Sequence, residues 1–396
     1  MSHYKYIIIG GGMTADAAVK GIRELDDSGV ILMLSSEPDP PYSRPPLTKG
    51  LWKNTPVEKI WKKTEEKNAE IRLNTTVKSI DPGNNTVLLS TGDKLTYEKL
   101  LLATGGKTVK LPFGDNGIIY YRTYSDYKKL REIAEKKNDF AVIGGGFIGT
   151  EIAAALTMNS KKVTMIFPGK LIGERIFPAD LAEYVTSYYK DKGVGFITGD
   201  SVNTIEVSGE KKKLITENSK TLITDAVIAG IGIKPDTALA ESAGIITGNG
   251  ILVDEFLRTN LASVYAAGDC ANFYNPLLGK RIRVEHEDNA NKMGYFAGKN
   301  MAGAETTYDY LPFFYSDMFE LGYEAVGEFD PEMEVYPDWK YKYKEGVVYY
   351  LAEGRVRGVL LWNVWGQVDE ARKLIGEKGP FKPGDLKGRL PVKKEK

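Results

Sequence analysis

Two stretches of this chain share one pattern: an apolar run, three consecutive glycines, then apolar positions at helical spacing. Tyr6-Ile7-Ile8-Ile9 leads into Gly10-Gly11-Gly12 and Met13-Thr14-Ala15. Phe140-Ala141-Val142-Ile143 leads into Gly144-Gly145-Gly146 and Phe147-Ile148-Gly149. Short unbroken apolar runs read as buried parallel strands, and each glycine turn opens a predicted helix, the first over about 13–25. A second strand is predicted at 30–34. The proline-rich stretch 38–46 predicts neither helix nor central strand. Residues 57–106 read as a helix and then alternating strands, ending at Leu102-Ala103-Thr104-Gly105-Gly106. A βαβ unit closes on Ile228-Ala229-Gly230-Ile231-Gly232, and a further strand runs through Val264-Tyr265-Ala266 to Gly268-Asp269. From 308 onward, aromatic-rich alternating strands precede a helix near 367–376, which reads as a small α+β domain with a basic, frayed tail at 393–396.

The glycine turns carry chemistry. In G-x-G-x-x-G/A the first glycine makes the tight turn out of the strand. The second lets backbone approach a pyrophosphate, and the third position packs helix against sheet. The helix N-terminus then offers unpaired N–H groups to phosphate. Glu37 lies 22 residues past Ala15, where a carboxylate accepts hydrogen bonds from an adenosine ribose. Two fingerprints imply two bound dinucleotides, and that pairing implies electrons passing from a nicotinamide to a flavin. The fold class expected is α/β, with two Rossmann-like dinucleotide-binding domains.

Composition narrows the setting. Lys plus Arg and Asp plus Glu both total 53 over 396 residues, so no global charge attracts nucleic acid, and none is expected as a partner. No apolar run is long enough for a membrane span. A strand begins within a few residues of Met1, so no secretory leader is expected. A single cysteine, Cys270, allows no internal disulfide and suits a reducing cytoplasm. No metal site is expected.

With these residues assembled, the chain resembles the FAD-dependent pyridine-nucleotide oxidoreductases, in particular the ferredoxin/rubredoxin-reductase and apoptosis-inducing-factor branch. Pro41-Tyr42-Ser43-Arg44-Pro45-Pro46-Leu47-Thr48-Lys49-Gly50-Leu51-Trp52 resembles that branch's flavin-covering loop, and Arg283-Val284-Glu285-His286-Glu287-Asp288 its signature beside the flavin. Phe273-Tyr274, Tyr315-Ser316-Asp317, Gly322-Tyr323-Glu324-Ala325 and Leu361-Trp362-Asn363 resemble runs of the apoptosis-inducing-factor group. The resemblance implies a glutathione-reductase-like fold. Its FAD-binding domain would comprise 1–108 and 233–307, its NAD(P)-binding domain 109–232, and its C-terminal domain 308–396.

It also implies residue roles. Gly10, Gly12, Ala15 and Glu37 would hold FAD, with Thr104, Gly105, Gly268 and Asp269 lining the same cofactor. Asp269 reads alternatively as a helix N-cap. Arg44 and Lys49 would lie against the flavin, with Lys49 paired to Glu151 across two domains, either tuning the flavin or merely bridging. Gly144, Gly146, Gly149 and Gly232 would take NAD(P)H. Glu285 and His286 would meet flavin or nicotinamide, unless His286 is an ordinary satisfied polar residue. Tyr315 would stand beside the same rings, or serve as a core aromatic. Lys49, Glu151, Glu285 and His286 are the catalytic candidates. With no second cysteine there is no redox-active disulfide.

The implied activity passes electrons from NAD(P)H through FAD to an acceptor such as ferredoxin or rubredoxin, or to a small molecule. Lys211-Lys212-Lys213 and Lys128-Lys129 are candidate docking clusters. The alternative is a redox-responsive binding protein like apoptosis-inducing factor, with slow NADH turnover, a long-lived charge-transfer complex and a possible homodimer. The donor is read as NADH, although the predicted strand 163–167 continues as Pro168-Gly169-Lys170 with no acid before Glu174. Gly169 stands where the group can carry a carboxylate. Lys170 and Arg175 could instead meet a 2′-phosphate.

Overall fold

The computed structural model describes residues 2–113 and 117–390; the basic tail expected at 393–396 lies outside them. Backbone contacts divide the chain into two units. One comprises the residues up to Arg44, Pro56–Lys107 and Ile233–Pro312. The other comprises Pro45–Thr55, the described residues of Thr108–Gly232, and those from Phe313 to Leu390. This grouping differs from the four expected segments in placing both 45–55 and the residues after 312 with the second fingerprint. Among the described residues no helix is long and apolar enough to cross a membrane.

In the first unit the apolar run Ser2–Ile9 forms a central strand, parallel to Ile31–Leu34 on one side and to Lys94–Leu102 on the other. Ala69–Arg72 pairs outside Ile31–Leu34. The strand Val264–Ala266, from the far end of the sequence, pairs in parallel with the last residues of Lys94–Leu102, Val264 opposite Leu100. Where the strands are buried on both faces, at 6–9, Ile31–Leu34 and 100–102, every side chain is apolar or aromatic.

The first fingerprint helix, Met13–Arg23, crosses Glu287–Met301 with backbones almost touching. A Cβ on Gly294 would collide with the Thr14 carbonyl, and one on Gly298 with that of Ala18. The helix expected early in 57–106 is absent. Two 3₁₀ turns, Val57–Ile60 and Thr64–Lys67, stand there instead. Lys63 and Asn68 adopt left-handed backbone (φ 52° and 53°) on either side of the second, and neither turn can propagate.

Asp16, buried on the fingerprint helix, anchors this region. Its carboxylate lies 2.7 Å from the Lys20 ammonium and 3.2 Å from that of Lys67, and it accepts a 2.7 Å bond from the Thr64 hydroxyl. Burial works against the charged form, but the bonds from Lys20 and Thr64 outweigh it and hold Asp16 below the ordinary carboxylate range.

In the second unit, Asp139–Ile143 is the centre of a five-stranded parallel sheet. The order is Gly195–Thr198, Lys162–Phe167, Asp139–Ile143, Ala226–Ala229, Ile118–Tyr120. The C-terminal residues form a five-stranded antiparallel sheet running Phe313–Met318, Leu321–Gly327, Arg355–Trp362, Glu345–Ala352, Glu334–Tyr341. Helix Val368–Gly376 packs on it where the sequence predicted a helix. Pro45–Thr55 is fastened into this unit by aromatics. Tyr121 donates 2.5 Å to the Leu47 carbonyl, Asn159 donates 3.2 Å to that of Trp52, and the Trp52 ring meets Tyr127 edge-on at 5.8 Å.

Replacing Asp16 by Ala removes the acceptor of the buried Thr64 hydroxyl and of two lysines that still reach solvent, and should cost about 2 kcal/mol. The wild-type advantage in thermal melts should be complete near neutral pH and shrink on acidification. A group whose value is lowered by folding loses its contribution as pH falls through that lowered value.

Candidate active site

Each unit builds one glycine cradle. Gly10 has φ of 130°, and a Cβ there would collide with the Ala103 carbonyl. Gly144 has φ of 116°, and a Cβ would collide with Gly230. Only glycine satisfies both demands at once. Gly12 and Gly146 are the N-caps of their helices, and neither helix has a side-chain cap. A Cβ at either position would meet nothing within 4 Å. Two helix N-termini therefore face open space with their N–H groups unclaimed by a cap, which is the requirement for receiving a pyrophosphate. The third positions pack inward: Ala15 is fully buried, and Gly149 lies against Gly144. These observations fit one dinucleotide in each unit.

Around the first cradle the structure gathers most of the expected flavin-side residues. Glu37 accepts a 2.7 Å bond from the Tyr42 hydroxyl and is ion-paired with Arg44, whose guanidinium lies 5.1 Å from the Tyr42 ring centre. Burial works against the Arg44 cation, but the fields of Tyr42, Glu37 and Asp269 raise its already high value further. Thr104 donates 2.8 Å to the Asp236 carbonyl, and Gly105 turns with φ of 66°. Gly268 has φ of 80° and would collide through a Cβ with Thr14. Asp269 lies inside the 3₁₀ turn Gly268–Cys270 and is not a helix N-cap.

His286 takes that capping role. It precedes Glu287–Met301, and its Nδ1 accepts from the Asp288 N–H at 3.4 Å. Arg283 donates 3.1 Å to the Asp269 carbonyl and also holds Glu285, so it ties the two site segments together. Arg283 stands in the same motif as Glu285 and His286, and its tie to Asp269 is a product of the fold.

The second unit holds the remaining candidates. Glu151, only 5% exposed, sits on Phe147–Met158 and lies 2.8 Å from the Lys49 ammonium. Two hydroxyls complete its shell: Thr48 donates at 2.5 Å and Ser316 at 2.7 Å. Lys49 also lies 4.5 Å from the Tyr315 ring centre, within cation–π range. Lys49, Glu151 and Tyr315 thus form one cluster inside a single unit. Thr48 and Ser316 adjoin the expected residues Lys49 and Tyr315, and only the fold turns their hydroxyls onto Glu151. Gly232 lies in the turn after the strand Ala226–Ala229, with φ of 96°, and its carbonyl accepts from the Val109 N–H.

Two cradles of this kind, with no second thiol in the chain, define an oxidoreductase that couples a flavin to a nicotinamide dinucleotide. The chain belongs to the pyridine nucleotide-disulphide oxidoreductase family, whose model matches residues 4–294. Residues 331–377 match the model described as apoptosis-inducing factor, mitochondrion-associated, C-term.

Among curated proteins it is 35% identical to apoptosis-inducing factor 1, mitochondrial, of Dictyostelium discoideum, over 95% of this chain and 79% of that one. It is 34% identical to monodehydroascorbate reductase 4, peroxisomal, of Arabidopsis thaliana, over 96% of this chain and 83% of that one. The fold matches the covalent putidaredoxin reductase–putidaredoxin complex with a TM-score of 0.91 and 28% identity, covering 99% of this chain and 98% of the solved one. The protein is an FAD-dependent NAD(P)H oxidoreductase.

Because a Cβ at Gly12 meets no protein atom, Gly12→Val should fold normally yet lose FAD. Circular dichroism should match wild type, while the ratio of flavin to protein after purification falls at least about ten-fold. Gly146→Val should keep FAD and weaken NADH binding instead, read by equilibrium titration.

Proposed function

We propose that this protein takes electrons from NADH and delivers them to a small ferredoxin-type carrier protein. The observation that carries this reading is the pair of open glycine cradles in a chain whose one thiol cannot relay electrons. Cys270 is fully buried, and that burial pushes its thiol up. Acceptance by a protein carrier is supported by the likeness to a reductase solved with putidaredoxin. FAD, when bound, supplies the step from paired to single electrons.

The residues contribute orientation and charge. Gly12 and Gly146 leave room for pyrophosphates, and Glu37 is the carboxylate we assign to an adenosine ribose. Lys49, held by Glu151 and Tyr315, is the cation we assign to stabilising negative charge on the reduced cofactor. The cytoplasm is the compartment we propose, because a lone buried thiol suits a reducing setting.

The second reading, a redox-responsive binding protein, is supported by the match at 331–377. An anaerobic NADH titration separates the two. Rapid bleaching of the yellow protein, then fast recovery on adding ferredoxin, is the expected result. Slow bleaching to a persistent long-wavelength absorbance, with no recovery, would favour the binding protein. In stopped-flow measurements Lys49→Met should slow bleaching by NADH at least about ten-fold while leaving FAD occupancy nearly unchanged. Equal losses in both would remove the assigned role.

A further inference from the structure

The second cradle lacks the acid that the first one has, and the two can be aligned by hydrogen bonding alone. Gly10 N–H donates 2.9 Å to the Leu34 carbonyl, and Gly144 N–H donates 2.9 Å to that of Ile166. Leu34 and Ile166 are therefore equivalent. The next residue confirms it. A Cβ on Gly11 would run into Ser35, and one on Gly145 would lie 3.0 Å from the Phe167 ring. Glu37 is three residues past Leu34, and the residue three past Ile166 is Gly169. The ribose-holding position of the second cradle thus has no side chain.

Its space is nevertheless filled by a carboxylate. A Cβ on Gly169 would collide with Oε1 and Cδ of Glu174. Glu174 reaches back along the loop, and its Oε2 accepts from the N–H groups of Lys170 at 2.9 Å and Leu171 at 3.2 Å. Those two bonds fix the carboxylate and leave Oε1 without a donor among the described residues. Glu174 is half-buried, whereas Lys170 and Arg175 point outward as exposed side chains.

We infer that Glu174 replaces the absent strand-end acid at Gly169 and makes this site select NADH over NADPH. A carboxylate with a free oxygen at that position accepts both adenosine ribose hydroxyls and repels a 2′-phosphate. This rests on the reading of 109–232 as the nicotinamide-dinucleotide site. It also explains how a chain with glycine at the deciding position keeps the preference.

The test is calorimetric titration of the flavin-loaded protein with ADP-ribose and with 2′-phospho-ADP-ribose, which requires no turnover. Wild type should bind ADP-ribose at least about ten-fold tighter. Glu174→Ala should shrink that ratio by about ten-fold or more, and Glu174→Gln, which keeps an acceptor for the two N–H groups, should do the same if the alanine variant folds poorly. The double variant G169E/E174A puts the acid back at the register position and should restore the preference, which a purely structural Glu174 would not do. A ratio unchanged in both single variants, or a wild type that favours the 2′-phosphate, would overturn the inference. Failure of wild type to bind either ligand would overturn the site reading itself.

Discussion

A carboxylate removed from water is tolerated only if a cation and hydrogen-bond donors take the place of that water. Glu151, on its fingerprint helix, meets this condition with partners from two distant parts of the chain: Lys49 and Thr48 from one loop, and Ser316 from the C-terminal sheet. The second unit is organised by that demand. The loop 45–55 cannot leave without stranding a buried charge, and the sheet cannot shift without removing a donor. The aromatic fastening of Leu47 and Trp52 then fixes the loop along its length. The same cluster fixes the Lys49 ammonium over Tyr315, so the group assigned to the chemistry is held by the group that stabilises the fold.

The first unit solves the same problem with Asp16. That carboxylate also sits on a fingerprint helix, also buried, and is also satisfied by lysine and a hydroxyl. Each cradle is therefore backed by a charged post just behind its phosphate-binding turn. A helix held this way keeps its first N–H groups in place before any ligand arrives, which is the preorganisation that anion binding at a helix end requires.

Much of this was written locally in the sequence. The glycine turns, their flanking strands and the cap-less helix starts follow from short-range sterics, so residues 6–15 and 140–149 announced them. Lys49 and Glu151 were paired through resemblance rather than spacing, and the structure places them 2.8 Å apart. What stayed hidden depends on long-range packing. The allegiance of 45–55 is decided by Tyr121 and Asn159, far away in sequence. The expected helix after 57 failed because two lysine- and asparagine-centred left-handed residues punctuate it. His286 is named by its motif for a cofactor contact, and the cap it makes through Nδ1 is a second role that only the folded helix start reveals. Glu174 was visible only as the first acid after a strand, because its reach back to Gly169 is a property of the folded loop.

The strand Val264–Ala266 and the glycine face of Glu287–Met301 complete the first unit from the far side of an inserted one. On a ribosome this sets an order of events. The early residues emerge with the edge of Lys94–Leu102 open and one face of Met13–Arg23 bare, and all of 108–232 must be made before their partners appear. At about 5–20 residues per second the wait is on the order of ten to thirty seconds, during which an apolar strand edge is free to pair wrongly. A nascent chain that stops short of Val264 carries an intact glycine turn without the scaffold that makes it a flavin site.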